Sequence, residues 1–304
     1  MNLEIKELTK LYEDFPALDH VDMTLHTGMQ GLIGANGAGK STLMKILAGV
    51  LKPSSGTICV DGEVIRDPAQ IRPLIGYVPQ QFSFYPQMRV YDVMDYFCAL
   101  NGIKKERKKR IDSLLEMTHL SDKARTRTRE LSGGMKQRLG IAVSLIKDPA
   151  LLLVDEPTVG LDPQERVHFS NVLTTFSRDR IILLSSHIIS DIESTCEELT
   201  IMNYGSVIYQ GDKQTLMEAC RGKVWQCTTS VEESVTLEEI LVLSNKSIQK
   251  GQAVLRVISE EAPMTGAVCV EPNLTDAYIY RIRKDEEAME QAEALEQAEE
   301  MESK

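Results

Sequence analysis

The sequence lacks the two features that would place the chain in a membrane or direct it to secretion. No apolar run approaches the 18 or more residues of a membrane-spanning helix, since the longest are segments such as ALLLV and IILL. The first residues, MNLEIKELTK, carry charges where a signal peptide needs an apolar region. We therefore expect a cytoplasmic chain, for which any membrane role requires a separate subunit.

Paired cysteines are missing as well. The six cysteines are scattered, with no C-x-x-C spacing and no cluster of histidine and cysteine of the kind that binds metal. We expect them to be reduced thiols that behave mostly as small buried apolar residues.

A general basic surface is also absent. The net charge is −11, and residues 284–304 contribute −7 of it through nine acidic and two basic residues, which leaves −4 for the rest. The run KKERKKR at 104–110 lies on an amphipathic helix pattern and is most simply a solvated face. This composition predicts no nucleic-acid partner.

A glycine-rich stretch, GLIGANGAGKST, occupies residues 31–42. Its G-x-x-x-x-G-K-S spacing is the P-loop pattern, in which backbone N–H groups cradle phosphates, the lysine reaches β/γ oxygens and the hydroxyl binds Mg²⁺. A strand-like segment, GMQGLIG, leads into it and a helix-like segment, STLMKILAGVL, leads out. The nucleotide-binding residues predicted here are Gly34, Asn36, Gly37, Gly39, Lys40, Ser41 and Thr42.

Two adjacent acids follow a continuous apolar run in LLLVDEP. Ligand sites of parallel sheets lie at the carboxyl ends of the strands, which places Asp155 and Glu156 beside the P-loop. An Asp there can hold Mg²⁺ and the adjacent Glu can accept a proton from an attacking water. We predict that Asp155 and Ser41 hold the metal and that Glu156 is the general base.

The segment LSGGMKQR, residues 131–138, has two alternative interpretations. Ser132 followed by two glycines could simply be the N-cap of a helix with a flexible start. The same residues also present bare amides and a helix dipole to an anion, as the P-loop does.

Taken together, the motifs resemble those of the ATP-binding subunit of an ABC transporter. They stand in the order of that family: GANGAGKST as Walker A, PQQ as the Q-loop, LSGGM as the signature, LLLVDEP as Walker B, GLDP as the D-loop and SSH as the switch histidine. The resemblance covers residues 1 to about 215. It implies ATP and Mg²⁺ as ligands, ATP hydrolysis, a membrane permease as partner and a peripheral position on the cytoplasmic face of the membrane.

The resemblance also assigns roles to individual residues. Tyr12 would stack on adenine, although a lone tyrosine at the edge of the core is the alternative. Gln80 would reach Mg²⁺ and the attacking water, with Gln81 beside it leaving open which glutamine acts. His187 would contact the γ-phosphate, and Asp162 would support a dimer interface.

A homodimer follows from the same resemblance. Two family members close head to tail, so that Ser132, Gly133 and Gly134 of one chain would cap the ATP on the P-loop of the other. One chain carries every residue that two such sites need. An ATP-operated clamp on DNA or ribosomes and a nucleotide-binding regulator without turnover are the alternatives, which the short helical insertion and Glu156 respectively disfavour.

The sequence predicts an α/β fold, a P-loop NTPase core of the ABC ATPase type with a helical subdomain and a small C-terminal α+β accessory domain. The ATP-binding domain spans 1–220 with its helical subdomain at about 85–148, the accessory domain spans 221–283, and the acidic tail at 284–304 is a frayed helix or disordered. A helix is expected near LEEILVLS at 237–244. Segments GKVW and EPNLTDAYIY resemble the accessory domain of antibiotic and multidrug exporter ATPases, which implies export.

Overall fold

In the computed structural model the chain divides into two compact units, separated in sequence between Gln210 and Gly211. The structure describes the backbone of residues 1–302 and their side chains, apart from those of residues 68, 293 and 296–302. The strands of the first unit are β1 (Asn2–Tyr12), β2 (Phe15–His26), β3 (Gly28–Ile33), β4 (Ser55–Val60), β5 (Glu63–Ile65), β6 (Ile75–Val78), β7 (Leu151–Asp155), β8 (Ile181–Ser186), β9 (Glu198–Asn203) and β10 (Ser206–Asp212), which crosses its boundary. Its helices are α1 (Lys40–Leu47), α2 (Pro68–Ile71), α3 (Val90–Leu100), α4 (Arg107–Met117), α5 (Gly133–Ser144), α6 (Pro163–Phe176) and α7 (Ile189–Thr195).

A central sheet brings the sequence motifs of the first unit to one edge. Its strand order is β10-β9-β3-β8-β7-β6, and β3, β6, β7, β8 and β9 run parallel. Every residue of β7 and β8 is buried, as continuous apolar runs predict for a sheet covered on both faces. The P-loop follows β3, Asp155 ends β7, His187 follows β8 and Gln80 follows β6, so the strand order makes these four segments neighbours.

An antiparallel sheet with the order β2-β1-β4-β5 completes the strands of this unit. The β1–β2 hairpin pairs Tyr12 directly with Phe15 across a turn at Glu13 and Asp14. Glu13 has a φ of 55°, which is the left-handed conformation that such a tight turn requires. The hairpin therefore ends in two adjacent aromatic side chains.

The chain between β6 and β7 is helical, as the apolar spacing of residues 90–148 predicts. Helices α3, α4 and α5 pack on one another around fully buried side chains such as Ile111 and Leu139. The basic run is only partly a solvated face. Arg107 forms an ion pair with Asp95, and Arg110 donates a 2.7 Å hydrogen bond to the carbonyl oxygen of Ile146.

The second unit is an antiparallel sheet with helices, as predicted for the accessory segment. Its elements are α8 (Lys213–Glu218), β11 (Val224–Ser230), α9 (Val231–Ile240), β12 (Val242–Gln249), β13 (Gln252–Ile258), β14 (Val268–Cys269) and α10 (Leu274–Glu302). The strand order is β12-β13-β11-β14. Its core contains Cys227, Ala253, Leu255 and Val257, all nearly inaccessible to solvent.

Three segments have bounds in the structure that differ from the sequence-based prediction or make it more specific. The first unit ends at residue 210 rather than 220, because α8 packs against α10 and so belongs to the second unit. The helix expected at 237–244 ends at Ile240, and Val242 begins β12, because the apolar run LVL suits a strand as well as a helix. The tail from residue 284, predicted as a frayed helix or disordered, is helical and continues α10 to Glu302, since the segment contains no glycine or proline. Residues 303 and 304 lie outside the described residues.

A buried ion pair fixes the start of α10 in the second unit. The side chain of Asp276 is 0% exposed and accepts hydrogen bonds from Arg256 at 2.5 and 3.2 Å and from the backbone N–H of Asn273 at 2.8 Å. Replacing Asp276 with alanine leaves the guanidinium without its counter-charge, so we expect unfolding to become easier by about 3 kcal/mol. Urea unfolding followed by fluorescence of Trp225, the only tryptophan, reports on this unit.

The control for this prediction is Glu260→Gln, which removes an acid that pairs with Lys223 at the surface and is 59% exposed. Exposed pairs contribute at most about 1 kcal/mol, so this variant should unfold close to the wild type. Equal midpoints for Asp276→Ala and Glu260→Gln would contradict the structural role of Asp276.

Candidate active site

The P-loop connects β3 to α1 and depends on glycine at its turns. Gly37 and Gly39 have φ values of 86° and 99°, in the left-handed region that other residues rarely occupy. A Cβ on Gly39 would lie 2.6 Å from the carbonyl oxygen of Ala17, so a side chain at this position cannot fit without backbone movement. The glycines therefore set the path of the loop into the start of α1.

Lys40, the first residue of α1, is 4% exposed. Its Nζ donates hydrogen bonds to the carbonyl oxygens of Gly34 at 2.7 Å and Ala35 at 2.9 Å, and it lies 3.7 Å from Oε1 of Glu156. Burial lowers the pKa of the Lys40 ammonium, and the nearby carboxylates of Glu156 and Asp155 oppose that effect. A cation held this deep in the loop is placed to meet an anionic ligand.

A cavity of about 380 Å³ opens over the P-loop. Its described lining includes six of the seven loop residues predicted from the sequence. The seventh, Gly34, is not in the lining, but its carbonyl oxygen accepts a hydrogen bond from Lys40. Tyr12 and Phe15, the aromatic pair at the hairpin tip, form one wall and are 47% and 67% exposed. The full lining is Tyr12, Phe15, Ala17, Asn36, Gly37, Gly39, Lys40, Ser41, Thr42, Gln80 and Glu156.

Asp155 lies at the carboxyl end of β7 and is 2% exposed. Its Oδ1 accepts hydrogen bonds from the hydroxyls of Ser185 at 2.6 Å and Ser41 at 3.3 Å, and its Oδ2 accepts from Tyr77 at 3.5 Å. Burial, reinforced by Asp155, raises the pKa of the Tyr77 phenol, which keeps it protonated as a donor. Asp155 and Ser41 together offer the hard oxygen ligands that Mg²⁺ takes from a protein beside phosphates and water, so the residues fit this metal.

The carboxylate of Glu156 contacts the side chains of Gln80, His187 and Lys40. It is 6% exposed, and its Oε2 accepts a 2.9 Å hydrogen bond from the Gln80 side-chain amide and lies 3.1 Å from Nδ1 of His187. The structure thus places Gln80, rather than Gln81, on the carboxylate. Glu156 has a φ of 45°, the left-handed conformation, immediately after β7.

The signature segment is held within its own chain by a carboxylate. Ser132 is the N-cap of α5, and its hydroxyl donates a 2.6 Å hydrogen bond to Oε1 of Glu165. The backbone N–H of Gly134 donates to Oε2 of the same residue at 3.3 Å, and a Cβ on Gly134 would lie 2.6 Å from this carboxyl group. The segment is therefore a capped helix start whose hydroxyl and backbone N–H bind a carboxylate of the same chain.

Asp162, predicted at a dimer interface, is exposed and caps α6 by accepting a 2.8 Å hydrogen bond from the backbone N–H of Glu165. None of Ser132, Gly133 and Gly134 is among the described residues that line the cavity over the P-loop. The structure thus brings Lys40, Asp155, Glu156, Gln80 and His187 together in one chain and leaves the signature apart from them.

Sequence reasoning missed four residues of these sites. Ser185 and Tyr77 contact Asp155 from neighbouring strands, Phe15 shares the cavity wall with Tyr12, and Glu165 holds the signature. Only Phe15 had a local signal, because it stands across a tight turn from Tyr12. The other contacts depend on strand register or on the packing of α6 near α5.

Comparisons with known proteins give the family of the chain. A protein-family model described as ABC transporter matches residues 18–159. Nod factor export ATP-binding protein I of Cupriavidus metallidurans is 33% identical over 270 residues, which cover 88% of this chain and 89% of the relative. The chain belongs to the ABC transporter ATP-binding family. This confirms the family that the motifs indicate.

The cassette also resembles other ABC proteins. It is 34% identical over 273 residues to the probable multidrug ABC transporter ATP-binding protein YbhF of Escherichia coli. That alignment covers 86% of this chain and 47% of YbhF, so the chain spans about half the length of this relative. Linearmycin resistance ATP-binding protein LnrL of Bacillus subtilis is 33% identical over 72% of each chain.

Solved structures confirm the predicted fold of the cassette. An ATP-binding subunit of an ABC transporter superposes with a TM-score of 0.64 at 28% identity, covering 72% of this chain and 93% of that chain. A dimeric ATP-binding cassette in a post-hydrolysis state, bound to ADP and Pi, gives a TM-score of 0.61 at 26% identity. The match covers 69% of this chain and 98% of that chain. Among the residues that the structure describes, no helix combines the length and apolarity needed to cross a membrane.

Proposed function

We propose that the chain is the ATP-hydrolysing subunit of an ABC transporter and drives export through a separate permease, working on the cytoplasmic face of the membrane. The observation that carries the proposal is the convergence of Gln80, His187 and Lys40 on Glu156 beside the P-loop. The family and the names of its relatives, which include Nod factor export and linearmycin resistance proteins, support the direction.

The proposed reaction is in-line attack of water on the γ-phosphorus of ATP. Glu156 takes a proton from the water as the new P–O bond forms, and the bond to the β–γ bridging oxygen breaks to release ADP and phosphate. Gln80 and His187 hold the Glu156 carboxylate in position, while the adenine stacks at Tyr12 or Phe15. Lys40 leaves the carbonyl oxygens of the loop to bind the phosphates, which supply a stronger, charged acceptor.

Mg²⁺ would be held by Asp155 and Ser41, whose oxygens lie within 3.3 Å of each other. The metal, when bound, neutralises charge on the phosphate oxygens. The protein's own contribution is to keep the Asp155 carboxylate oriented through Ser185 and Tyr77.

The active unit in this proposal is a homodimer that closes on two ATP molecules. Within one chain the signature does not line the nucleotide cavity, yet it binds a carboxylate with a hydroxyl and a backbone N–H. A γ-phosphate presented by a second chain would meet the same donors. Ser132, Gly133 and Gly134 would then complete the site of the partner, with Asp162 near the interface.

Closure of this kind must displace Glu165 from Ser132 and Gly134. Glutamine at this position accepts weaker hydrogen bonds than the carboxylate, by about 1 kcal/mol, and does not repel phosphate. Closure displaces Glu165 at both sites of the dimer, so we expect Glu165→Gln to tighten ATP-dependent dimerisation by about 2 kcal/mol, which is about 30-fold in the dissociation constant. Sedimentation equilibrium with ATP and Mg²⁺, in a Glu156→Gln background that stops turnover, measures the dissociation constant.

The matched control is Asp179→Asn, which changes the net charge equally at an exposed acid that pairs with Arg180 beyond the end of α6. It should leave dimerisation unchanged. If the dimer of Glu165→Gln had a dissociation constant equal to or higher than that of the control, the displacement of Glu165 during closure would be contradicted.

The transport function itself is tested by ATP turnover of the purified chain, alone and with the integral membrane protein that co-purifies with it from detergent extracts. The proposal predicts turnover that the membrane protein stimulates. Recovery of ribosomes or DNA with the chain, and no effect of any membrane protein, would favour a clamp function instead.

A further inference from the structure

We propose that Ser185 is a positioning residue, whose hydroxyl fixes the metal-binding carboxylate of Asp155 and the backbone of Glu156 at the same time. The inference rests on the proposed function, because it assigns Asp155 to Mg²⁺ and Glu156 to proton transfer. None of the motifs discussed above includes this serine in a functional role.

The strand register places Ser185 between the two acids. Strands β7 and β8 are parallel neighbours, and Ser185 stands directly opposite Asp155. Its side chain is fully buried, and its Oγ donates to Oδ1 of Asp155 at 2.6 Å. The same Oγ accepts a 3.0 Å hydrogen bond from the backbone N–H of Glu156. A hydroxyl has one proton and two lone pairs, so both bonds form together without competition.

The bond to Glu156 acts on a strained segment of backbone. The φ of Glu156 is 45°, a left-handed conformation that is unfavourable for a residue with a side chain, so neighbouring contacts must hold it. Its N–H is shared between the Oγ and the carbonyl oxygen of Ser185, at 3.0 and 3.2 Å. Ser185 thus provides both acceptors for the backbone N–H of the residue whose carboxylate contacts Gln80 and His187.

The bond to Asp155 acts on the carboxylate that faces the P-loop. Oδ1 is the oxygen that also contacts the Ser41 hydroxyl, so Ser185 holds the very atom that lies beside the second predicted metal ligand. Hydrogen bonds of this kind orient a ligating carboxylate, and losing one typically weakens metal affinity by about 10–100-fold. The loss should therefore appear in Mg²⁺ binding as well as in turnover.

The neighbouring Ser186 provides a matched control. It is 2% exposed on the opposite face of β8, and its hydroxyl bonds only locally, accepting from the N–H of Ile188 at 2.9 Å and donating to the carbonyl oxygen of Ile188 at 3.2 Å. Ser186→Ala thus removes an equally buried hydroxyl from the same strand without touching Asp155 or Glu156.

The experiment compares Ser185→Ala, Ser185→Cys and Ser186→Ala. The first readout needs no turnover: the Mg²⁺ concentration that gives half of the thermal stabilisation produced by a non-hydrolysable ATP analogue. We expect it to rise at least about tenfold in both Ser185 variants and to stay unchanged in Ser186→Ala. Binding of the analogue in EDTA should be unchanged in all three. Turnover at saturating ATP should fall in the same two variants.

Cysteine replaces the hydroxyl with a slightly larger thiol, so it leaves no cavity, but it is a weak donor; it therefore separates the loss of the hydrogen bond from the loss of packing. A Ser185→Cys variant with wild-type Mg²⁺ dependence, or a Ser186→Ala variant as impaired as Ser185→Ala, would overturn the proposal. Failure of the proposed function is distinguishable, because it would appear as undiminished turnover in Glu156→Gln while the Mg²⁺ readout of the Ser185 variants remained altered.

Discussion

Replacing Glu156 with glutamine should lower ATP turnover about 10²–10⁴-fold and leave ATP binding intact, because the general base is lost while the side chain keeps its size. The amide cannot accept a proton from water, yet it can still hydrogen-bond to Gln80 and His187, which lie 2.9 and 3.1 Å from the carboxylate. Single-turnover hydrolysis and equilibrium binding of a fluorescent ATP analogue measure the two effects separately.

A suitable control for this variant is Glu197→Gln, which changes an exposed glutamate just before β9 and lies outside the described lining of the cavity. It should hydrolyse ATP at the wild-type rate. If Glu156→Gln also retained wild-type turnover, another group would have to be the base and the assigned role would be wrong.

Replacing Lys40 with alanine should instead lower the affinity for ATP. A charge-assisted hydrogen bond contributes about 1.5–3 kcal/mol, which corresponds to a loss of about 10–100-fold in affinity for ATP. We expect this loss of affinity at Lys40 in particular, because its side chain is 4% exposed and lies at the start of α1 beside Glu156. Isothermal titration with ATP and Mg²⁺ gives the affinity directly.

Lys45 provides the comparison, because it lies in the same helix and is exposed. Lys45→Ala removes the same charge from α1 at a site away from the loop, and it should bind ATP as the wild type does. Equal losses of affinity in Lys40→Ala and Glu156→Gln would contradict the separation of binding and catalysis between these residues.

The nucleotide site could be predicted from the sequence because its parts are local motifs at the ends of strands. The glycines at 37 and 39 and the lysine that follows form a single turn, and Asp155 and Glu156 directly follow a buried strand. The carboxyl ends of parallel strands share one edge, so their proximity follows from the strand pattern once the sheet is assumed to be parallel.

The contacts of Ser185 with Asp155 and of Glu165 with Ser132 could not be predicted from the local sequence. Ser185 reaches Asp155 only because β7 and β8 pair with these two residues opposite each other, and the sequence does not specify that register. Glu165 reaches Ser132 across 33 residues through the placement of α6 near α5. Such contacts are set by packing between elements rather than by the spacing of residues within one.

In the second unit, contacts between strands also determine secondary structure that the local sequence does not predict. The segment LEEILVLS favours a helix by propensity, yet the chain changes from α9 to β12 between Ile240 and Val242. Leu243 pairs with Val257 on the neighbouring strand, so pairing within the sheet overrides the local preference.

The most direct test of the account is the mass of the Glu156→Gln chain in solution, measured by light scattering with and without ATP and Mg²⁺. A closed pair requires ATP on the P-loop of one chain and the signature of the other. We expect one chain of 34.0 kDa without ATP and a particle of twice that mass with ATP and Mg²⁺. The additional substitution Ser132→Arg should return the sample to the single-chain mass.

Two results would contradict the account. A mass of 34.0 kDa under every condition would mean that ATP does not close two chains on each other. A dimer that persists when Ser132 is replaced would mean that the signature does not complete the site of the partner chain.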